Sequence, residues 1–368
     1  MRLAVFTHAE HYLQEGTLSS YSPYVREMNL WFEHVENITV IAPVKDSYDR
    51  IDKAYERSDI QFLALKTLNF TSFTNSLNSV IKLPGIIFRI FKIMLKADHL
   101  HIRCPGNIGL LACFLQIFFP GKSKTVKYAG NWDNESLQPW SYKLQKLILA
   151  NEFLTRNARV LVYGDWPDQG RNVSSFFTSS FSNSSIGNFK KDFNAPFNFL
   201  FLGALTKGKR PLLAVKIVQA LLNKGHELSL DIYGDGEMFN EVNDYITKND
   251  LENEIILHGN QNFEIIKEAY RKAHFSILPS KSEGWPKALA EAMFFGCVPI
   301  GTPISCVPWM LGNGERGILI EPEVVIATEK IAGYLRASHK LSKMSYKAQA
   351  WSQKYTLEKL SSEIKGLL

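Results

Sequence analysis

Short runs of consecutive apolar residues recur along this chain, separated by longer stretches in which apolar positions return every three or four residues. Residues 3–6, 38–42, 100–103, 125–128 and 160–163 read as strands buried on both faces, and 139–155 is long enough for a helix. A second series of runs follows at 197–202, 228–233, 255–257, 275–278 and 298–300. Strand–helix alternation builds parallel sheets with helices on both faces. Two such series predict two doubly wound (Rossmann-like) α/β domains.

Between the series, 178–196 reads TSSFSNSSIGNFKKDFNAP, polar and without helical periodicity. It divides the chain into an N-terminal domain over 1–180, a linker over 181–196 and a C-terminal domain over 197–345, with a terminal helical pattern over 346–368. The length of 368 residues agrees with two domains, being more than one core usually serves. With 45% hydrophobic and 21% charged residues the chain is neither disordered nor collagenous. Cys104, Cys113, Cys297 and Cys306 show no metal or disulfide spacing and read as thiols of a reducing cytosol.

A net charge of +6 suits an anionic substrate or an anionic membrane surface. Without a basic block it does not suit nucleic acid. The start, MRLAVFTHAEH, lacks a signal-peptide core, and the apolar stretches at 86–95 and 108–119 are too short to span a bilayer. The expected setting is cytoplasmic, free or peripheral on the inner face of the membrane.

The first strand is followed by THAEHYLQEG rather than a Gly-rich turn, which argues against plain dinucleotide binding, and no P-loop occurs. The segment richest in chemistry is 277–300, ILPSKSEGWPKALAEAMFFGCVPI. A strand ends at Leu278, a loop follows, Pro286 stands near the first helical position, and Gly296 ends the helix. Glu283 falls just ahead of the helix and Glu291 about two turns into it. The amides of Gly284 and of Lys287 to Leu289 are expected to be unpaired at the helix start, open to an anion. Carboxylates on either side suit sugar hydroxyls, which donate strong hydrogen bonds to them. A loop glutamate and a solvated helix glutamate would account for the same spacing taken alone.

The wider stretch SEGWPKALAEAMFFGCVPIGTP resembles the signature of the family 4 retaining glycosyltransferases of the GT-B fold. The Ser-Glu-Gly opening, the proline, the E-x7-E spacing and the Gly-x-x-Pro-Ile carry the likeness. The resemblance implies two facing domains with a cleft between them, and a terminal helix that crosses back to the first. It also implies that Glu291 holds the donor ribose, Glu283 contacts the transferred sugar, and Gly284, Trp285, Pro286 and Lys287 approach the donor phosphates. FLFLGALTKGKRPLLAVKIV at 199–218 resembles the first strand and helix of the family's second domain. There Gly203 is followed by Ala204 where the family has arginine. Lys209 matches the family lysine that neutralises the diphosphate, with Lys207 and Arg210 as compensating cations. His258, Gly259 and Asn260 fall where the nucleobase sits.

The N-terminal half resembles the family in topology only. KYAGNWDNE at 127–135 puts Ala129 where a histidine is usual, which makes Asn131, Trp132, Asp133 and Arg103 acceptor-side candidates, with Gly16 in the loop after the first strand. Trp132 could stack on a sugar or simply pack. In PGIIFRIFKIMLKAD at 84–98, Arg89, Lys92 and Lys96 form one stripe flanked by Ile86, Phe88, Ile93 and Leu95. That pattern fits core packing, or contact with a membrane or partner.

The resemblance implies transfer, with retention, from a UDP- or GDP-linked sugar to a hydroxyl of a glycan or lipid-linked acceptor, as in bacterial surface polysaccharide synthesis. It implies no cofactor and no metal, and Asp231 to Asp235 reads as strand and turn. The departures at Ala204 and Ala129 keep a non-catalytic sugar-nucleotide-binding scaffold as the alternative. A nucleotide-sugar isomerase on the same fold is a third reading.

Overall fold

Strand β1 (Arg2–Phe6) lies inside a seven-stranded parallel sheet, and four of its five side chains are buried. The computed structural model describes residues 1–49, 51–65, 73–166 and 169–368, and only the backbone of 73–82. The chain divides into two compact units, Met1–Phe177 with Lys359–Leu368, and Thr178–Glu358.

In the first unit the strands after β1 are β2 (His11–Gln14), β3 (Thr17–Tyr21), β4 (Asn37–Pro43), β5 (Asp52–Ala54), β6 (Gln61–Leu65), β7 (His99–Cys104), β8 (Ser123–Tyr128), β9 (Ala158–Tyr163) and β10 (Val173–Phe176). The parallel sheet has the order β10-β9-β8-β7-β1-β4-β6. Its helices are α1 (Ser22–Phe32), α2 (Phe73–Lys96), α3 (Asn107–Leu115) and α4 (Trp140–Ala150). The expected long loop after β1 is instead a small antiparallel sheet of order β2-β3-β5. Glu15 and Gly16, at φ 49° and 78°, make the two-residue turn that joins β2 to β3. In α2, burial takes Ile86, Ile90 and Met94, and Ile87, Phe91 and Ile93 are packed against the same core. Ile86 and Ile93 are therefore not exposed flanks, whereas Phe88 and Leu95 are.

The second unit holds β11 (Phe197–Leu202), β12 (Leu228–Tyr233), β13 (Ile255–Gly259), β14 (Phe275–Leu278), β15 (Val298–Gly301) and β16 (Ile318–Leu319), parallel in the order β13-β12-β11-β14-β15-β16. Helices α5 (Pro211–Asn223), α6 (Phe239–Lys248), α7 (Phe263–Lys272), α8 (Lys287–Phe294), α9 (Val307–Met310), α10 (Val324–Leu335) and α11 (Ser338–Ser352) complete it. Helix α7 shows how the sequence places such an element. Asn262 caps its start by accepting from the Ile265 amide at 3.0 Å, Glu264 sits in the first turn and Arg271 and Lys272 in the last.

Two boundaries differ from the sequence expectation. Residues 181–196 are no free linker, since Phe181 and Phe193 are buried in the second unit and Gln353 donates to the Gly187 carbonyl at 2.8 Å. The terminal pattern is also two helices. Helix α11 packs on α8 in the second unit, while α12 (Leu357–Leu367) enters the first unit from Lys359 on. Leu360 and Ile364 are buried there, and His34 Nε2 meets Ser361 Oγ at 2.9 Å.

Candidate active site

The carboxyl ends of β11 and β14 bring two loops of the second unit together. The Lys281 amide donates to the Gly208 carbonyl at 2.8 Å, and Arg210 reaches the Pro279 carbonyl at 3.4 Å. Between these ties, Lys209 Nζ donates to both oxygens of Glu283, at 2.6 and 2.8 Å. The Glu283 side chain is 6% exposed and that of Lys209 30%. The Glu283 amide donates to Ser305 Oγ at 3.2 Å, which pins the carboxylate from its backbone as well. Lys207 is exposed, and its amide donates to Glu237.

The turn after β12 explains how the β11 loop comes so close. A Cβ on Gly234 would stand 2.0 Å from the Gly203 carbonyl oxygen, and one on Gly236 2.7 Å from that of Leu205. Only glycine fits at both positions, so the Gly-x-Gly turn is a packing device. Ala204, where arginine was expected, is exposed beside it.

Helix α8 begins differently from expectation. The Lys287 amide already donates to the Trp285 carbonyl and that of Leu289 to Pro286. The opening toward an anion is thereby reduced to the amides of Gly284 and Ala288. Trp285 is buried, stacked on Trp351 at 6.1 Å and edge-on to Tyr355 at 5.9 Å, and its side chain anchors the loop.

Glu291 faces back along α8 to the start of the unit. Ser180 Oγ donates to its Oε1, and Tyr270 Oη to its Oε2 at 3.0 Å. Burial, and after it the Glu291 charge, keeps the Tyr270 phenol protonated far above its usual range, so it is a permanent donor. The pocket at Glu291, walled by Ser180, Phe181, Lys287 and Tyr355, holds about 20 Å³, little more than one water. His258, at the end of edge strand β13, stacks on Tyr233 at 4.4 Å, and its Nε2 lies 2.6 Å from Asp231 Oδ1. Gly259 (φ 64°) and exposed Asn260 follow it.

The first unit carries a separate cavity of about 650 Å³ near the carboxyl ends of β1 and β7, lined by His8, Tyr24, Lys45, Arg103, Gly130 and Tyr142 among others. Of the acceptor-side candidates only Arg103 lines it. Trp132 is instead a core residue, edge-on to Tyr128 at 5.0 Å, with Lys146 over its ring. Asn131 accepts from the Asp133 amide, and Asp133 from that of Glu135, so both side chains shape a local turn. Gly16 sits in the exposed β2–β3 turn and does not line the cavity.

Sequence reading missed the group beneath the cavity. Glu27 Oε1 accepts from Arg103 at 2.7 Å, and its Oε2 from Lys127 at 2.8 Å. Burial alone would raise the Glu27 carboxyl, but Lys127 and Arg103 outweigh it and hold it well below the usual range. A lone acid in the apolar helix SPYVREMNLWF was the available signal.

Residues 187–351 match the family model described as Glycosyl transferases group 1. That stretch is similar to this family, and it makes up less than half of the chain. Among curated relatives, an uncharacterized glycosyltransferase of Haemophilus influenzae is 29% identical over 42% of this chain and 44% of its own length. The chain spans less than half the length of the curated relatives it matches. Among solved structures, the lipopolysaccharide outer core galactosyltransferase WaaB aligns over 100% of this chain and 99% of its own, with TM-score 0.69 and 17% identity. Anabaena Alr3699/HepE, solved with UDP and glucose, aligns over 99% and 98%, with TM-score 0.69 and 10% identity. At these identities the likeness is one of fold, and the two doubly wound units are those of the GT-B fold.

Proposed function

We propose that this chain is a retaining, metal-independent glycosyltransferase. Its donor is a UDP- or GDP-linked sugar, and its acceptor is a hydroxyl of a glycan or lipid-linked molecule in bacterial surface polysaccharide synthesis. The Lys209–Glu283 pair at the join of two strand-end loops carries this reading. The reaction must stabilise an oxocarbenium-like sugar while a diphosphate departs. Lys209, released from Glu283, supplies positive charge to the leaving group, supported by Arg210, by Lys207 and by the amides of Gly284 and Ala288. Glu283, released in turn, accepts hydroxyls of the transferred sugar. Glu291 keeps lone pairs for the ribose hydroxyls beside those used by Ser180 and Tyr270. His258, backed by the buried Tyr233 ring, offers a flat face to the base. The acceptor enters the cavity above Arg103. The UDP-bound structure and the galactosyltransferase, both of like fold, support a nucleotide-sugar donor and a cell-surface glycan product.

Calorimetric titration of UDP, GDP, ADP and CMP, followed by transfer from the matching sugars, tests the proposal, with product anomers assigned by NMR. Binding of one diphosphate and formation of the retained anomer are expected. Nucleotide binding without turnover on any acceptor would favour the scaffold reading, which Ala204 and Ala129 motivate.

A further inference from the structure

Two stretches of this chain are strongly basic, 60–132 and 330–368, the latter with eight Lys and Arg against two acids. Residues 60–132 carry nine Lys and Arg against one acid, a net +8 in a chain that totals +6, so the remainder is net −2. The one acid, Asp98, is already paired with Arg2, whose Nη2 lies 2.6 Å from its Oδ1; of the nine cations Arg103 and Lys127 are spent on Glu27 and Lys124 is buried, while Arg89, Lys92 and Lys96 are exposed.

That stretch also carries exposed aromatic surface. On α2, Phe88 is 68% and Leu95 57% exposed, one turn to either side of Phe91. Phe91 touches Phe118, 69% exposed, at 6.4 Å between ring centroids. Phe114, four residues earlier, is exposed as well. At 100° per residue Lys92, Lys96 and Arg89 occupy the adjoining arc of α2, so an apolar row and a basic row lie side by side. All three cations are exposed, and none makes an ion pair with a described residue. Lys122 ties the end of the helix by donating to the Leu95 carbonyl at 3.0 Å.

We infer that this face of the first unit docks on an anionic lipid surface. An isolated apolar patch would suit many partners. Rings beside exposed cations that make no ion pair among the described residues, within a stretch whose only acid is neutralised, match the boundary between anionic headgroups and acyl chains. The helix lies on the bilayer rather than through it, since among the described residues no helix is long and apolar enough to cross. This inference goes beyond the transfer reaction and does not depend on it.

Co-sedimentation of the full chain with vesicles of phosphatidylcholine alone, and of phosphatidylcholine mixed with phosphatidylglycerol, provides the test without donor or acceptor. Binding to the mixed vesicles that weakens with salt is expected. The triple variant R89Q/K92Q/K96Q is expected to bind roughly 100-fold more weakly, at about fivefold per charge. Phe88→Trp should give indole emission that shifts to the blue on the mixed vesicles. Circular dichroism and an unchanged urea midpoint establish that the variants fold. No binding to anionic vesicles, or equal binding by the triple variant, overturns the inference. Concentration-dependent self-association abolished by Phe118→Ser, without vesicle binding, would instead make this face a contact between copies of the chain. A protein that bound vesicles yet transferred no sugar would leave this inference standing and refute only the proposed reaction.

Discussion

Lys209 spends its ammonium on both oxygens of Glu283, and the two residues lie 74 positions apart in the chain. The Glu283 side of the pair is buried and the lysine is 30% exposed, so removing either partner leaves a partly buried group uncompensated and costs stability as well as activity. In function, each residue of the pair holds the other ready for a group of opposite demand. Lys209→Ala is expected to lower kcat about 100-fold, as loss of one preorganised donor to a developing anion does. Glu283→Gln should lower kcat with donor affinity largely kept. The double variant should lose less than the product of the two single effects, because neither partner acts alone. Steady-state kinetics of the three variants, with urea denaturation as the control for stability, checks this.

Glu291 gives a different signature. Glu291→Ala should weaken nucleoside diphosphate binding by at least about tenfold, the equivalent of one charge-assisted hydrogen bond at about 1.5–3 kcal/mol. Tyr270→Phe removes a donor that only orients the carboxylate, and should weaken binding about fivefold with kcat on saturating donor nearly unchanged. Calorimetry on both variants separates direct contact from positioning. Equal affinity in wild type and Glu291→Ala would remove the residue from the donor site.

Glu27 is the structural counterpart. Glu27→Ala leaves Arg103 and Lys127 buried without their counter-ion, and a broken buried pair typically costs about 3–5 kcal/mol. The urea midpoint of the first unit should fall accordingly. Lys127→Met should cost less, since Arg103 still neutralises Glu27 and the methionine fills similar space. A smaller loss for Glu27→Ala than for Lys127→Met would mean that the carboxylate is not the hub of the cluster.

Buried histidines set the response to pH. Burial, partly opposed by the Ala9 carbonyl, lowers His11 to about 4, and burial lowers His99 to about 4 and His101 well below its ordinary value. His99 Nε2 and His101 Nδ1 each lie 2.9 Å from Thr125 Oγ1, which has one proton to give, so one ring donates and the other accepts. Between about pH 6.5 and 4 the unfolded chain therefore binds more protons at these sites than the folded one. Stability at these sites falls as pH drops through that window, and the His11 and His99 contributions level off below it. Glu27 acts in the same direction lower down: its depressed carboxyl stabilises the fold above the ordinary carboxylate range and loses that effect as pH falls through its folded value. Urea midpoints at pH 7.5, 6 and 5 should decline for wild type and decline less for His99→Gln. A flat profile would contradict neutral, buried rings.

The parallel strands were legible because each is buried on both faces and reads as an unbroken apolar run. The β2–β3 hairpin was not. Its strands mix His11, Gln14 and Thr17 with apolar residues, and its clearest signal was the two-residue Glu15-Gly16 turn between short alternating segments. The loop of 279–287 was legible through its spacing, yet the spacing says nothing of local bonding, and two of the amides thought open are closed by neighbouring carbonyls. Trp132 shows the same limit, since a tryptophan beside polar residues reads alike whether it stacks on a sugar or completes a core. Glu27 was invisible because its partners come from positions 76 and 100 residues away, and only the folded sheet brings them to one carboxylate.

The first unit opens at Met1 and closes with the ten residues from Lys359, with the whole second unit between them. On the ribosome, where segments become available in order, Leu360 and Ile364 emerge after the whole second unit. The second unit therefore has its complete sequence while the first still waits for the helix that covers its surface. A stop codon near position 358 would leave the second unit whole and damage the domain made first.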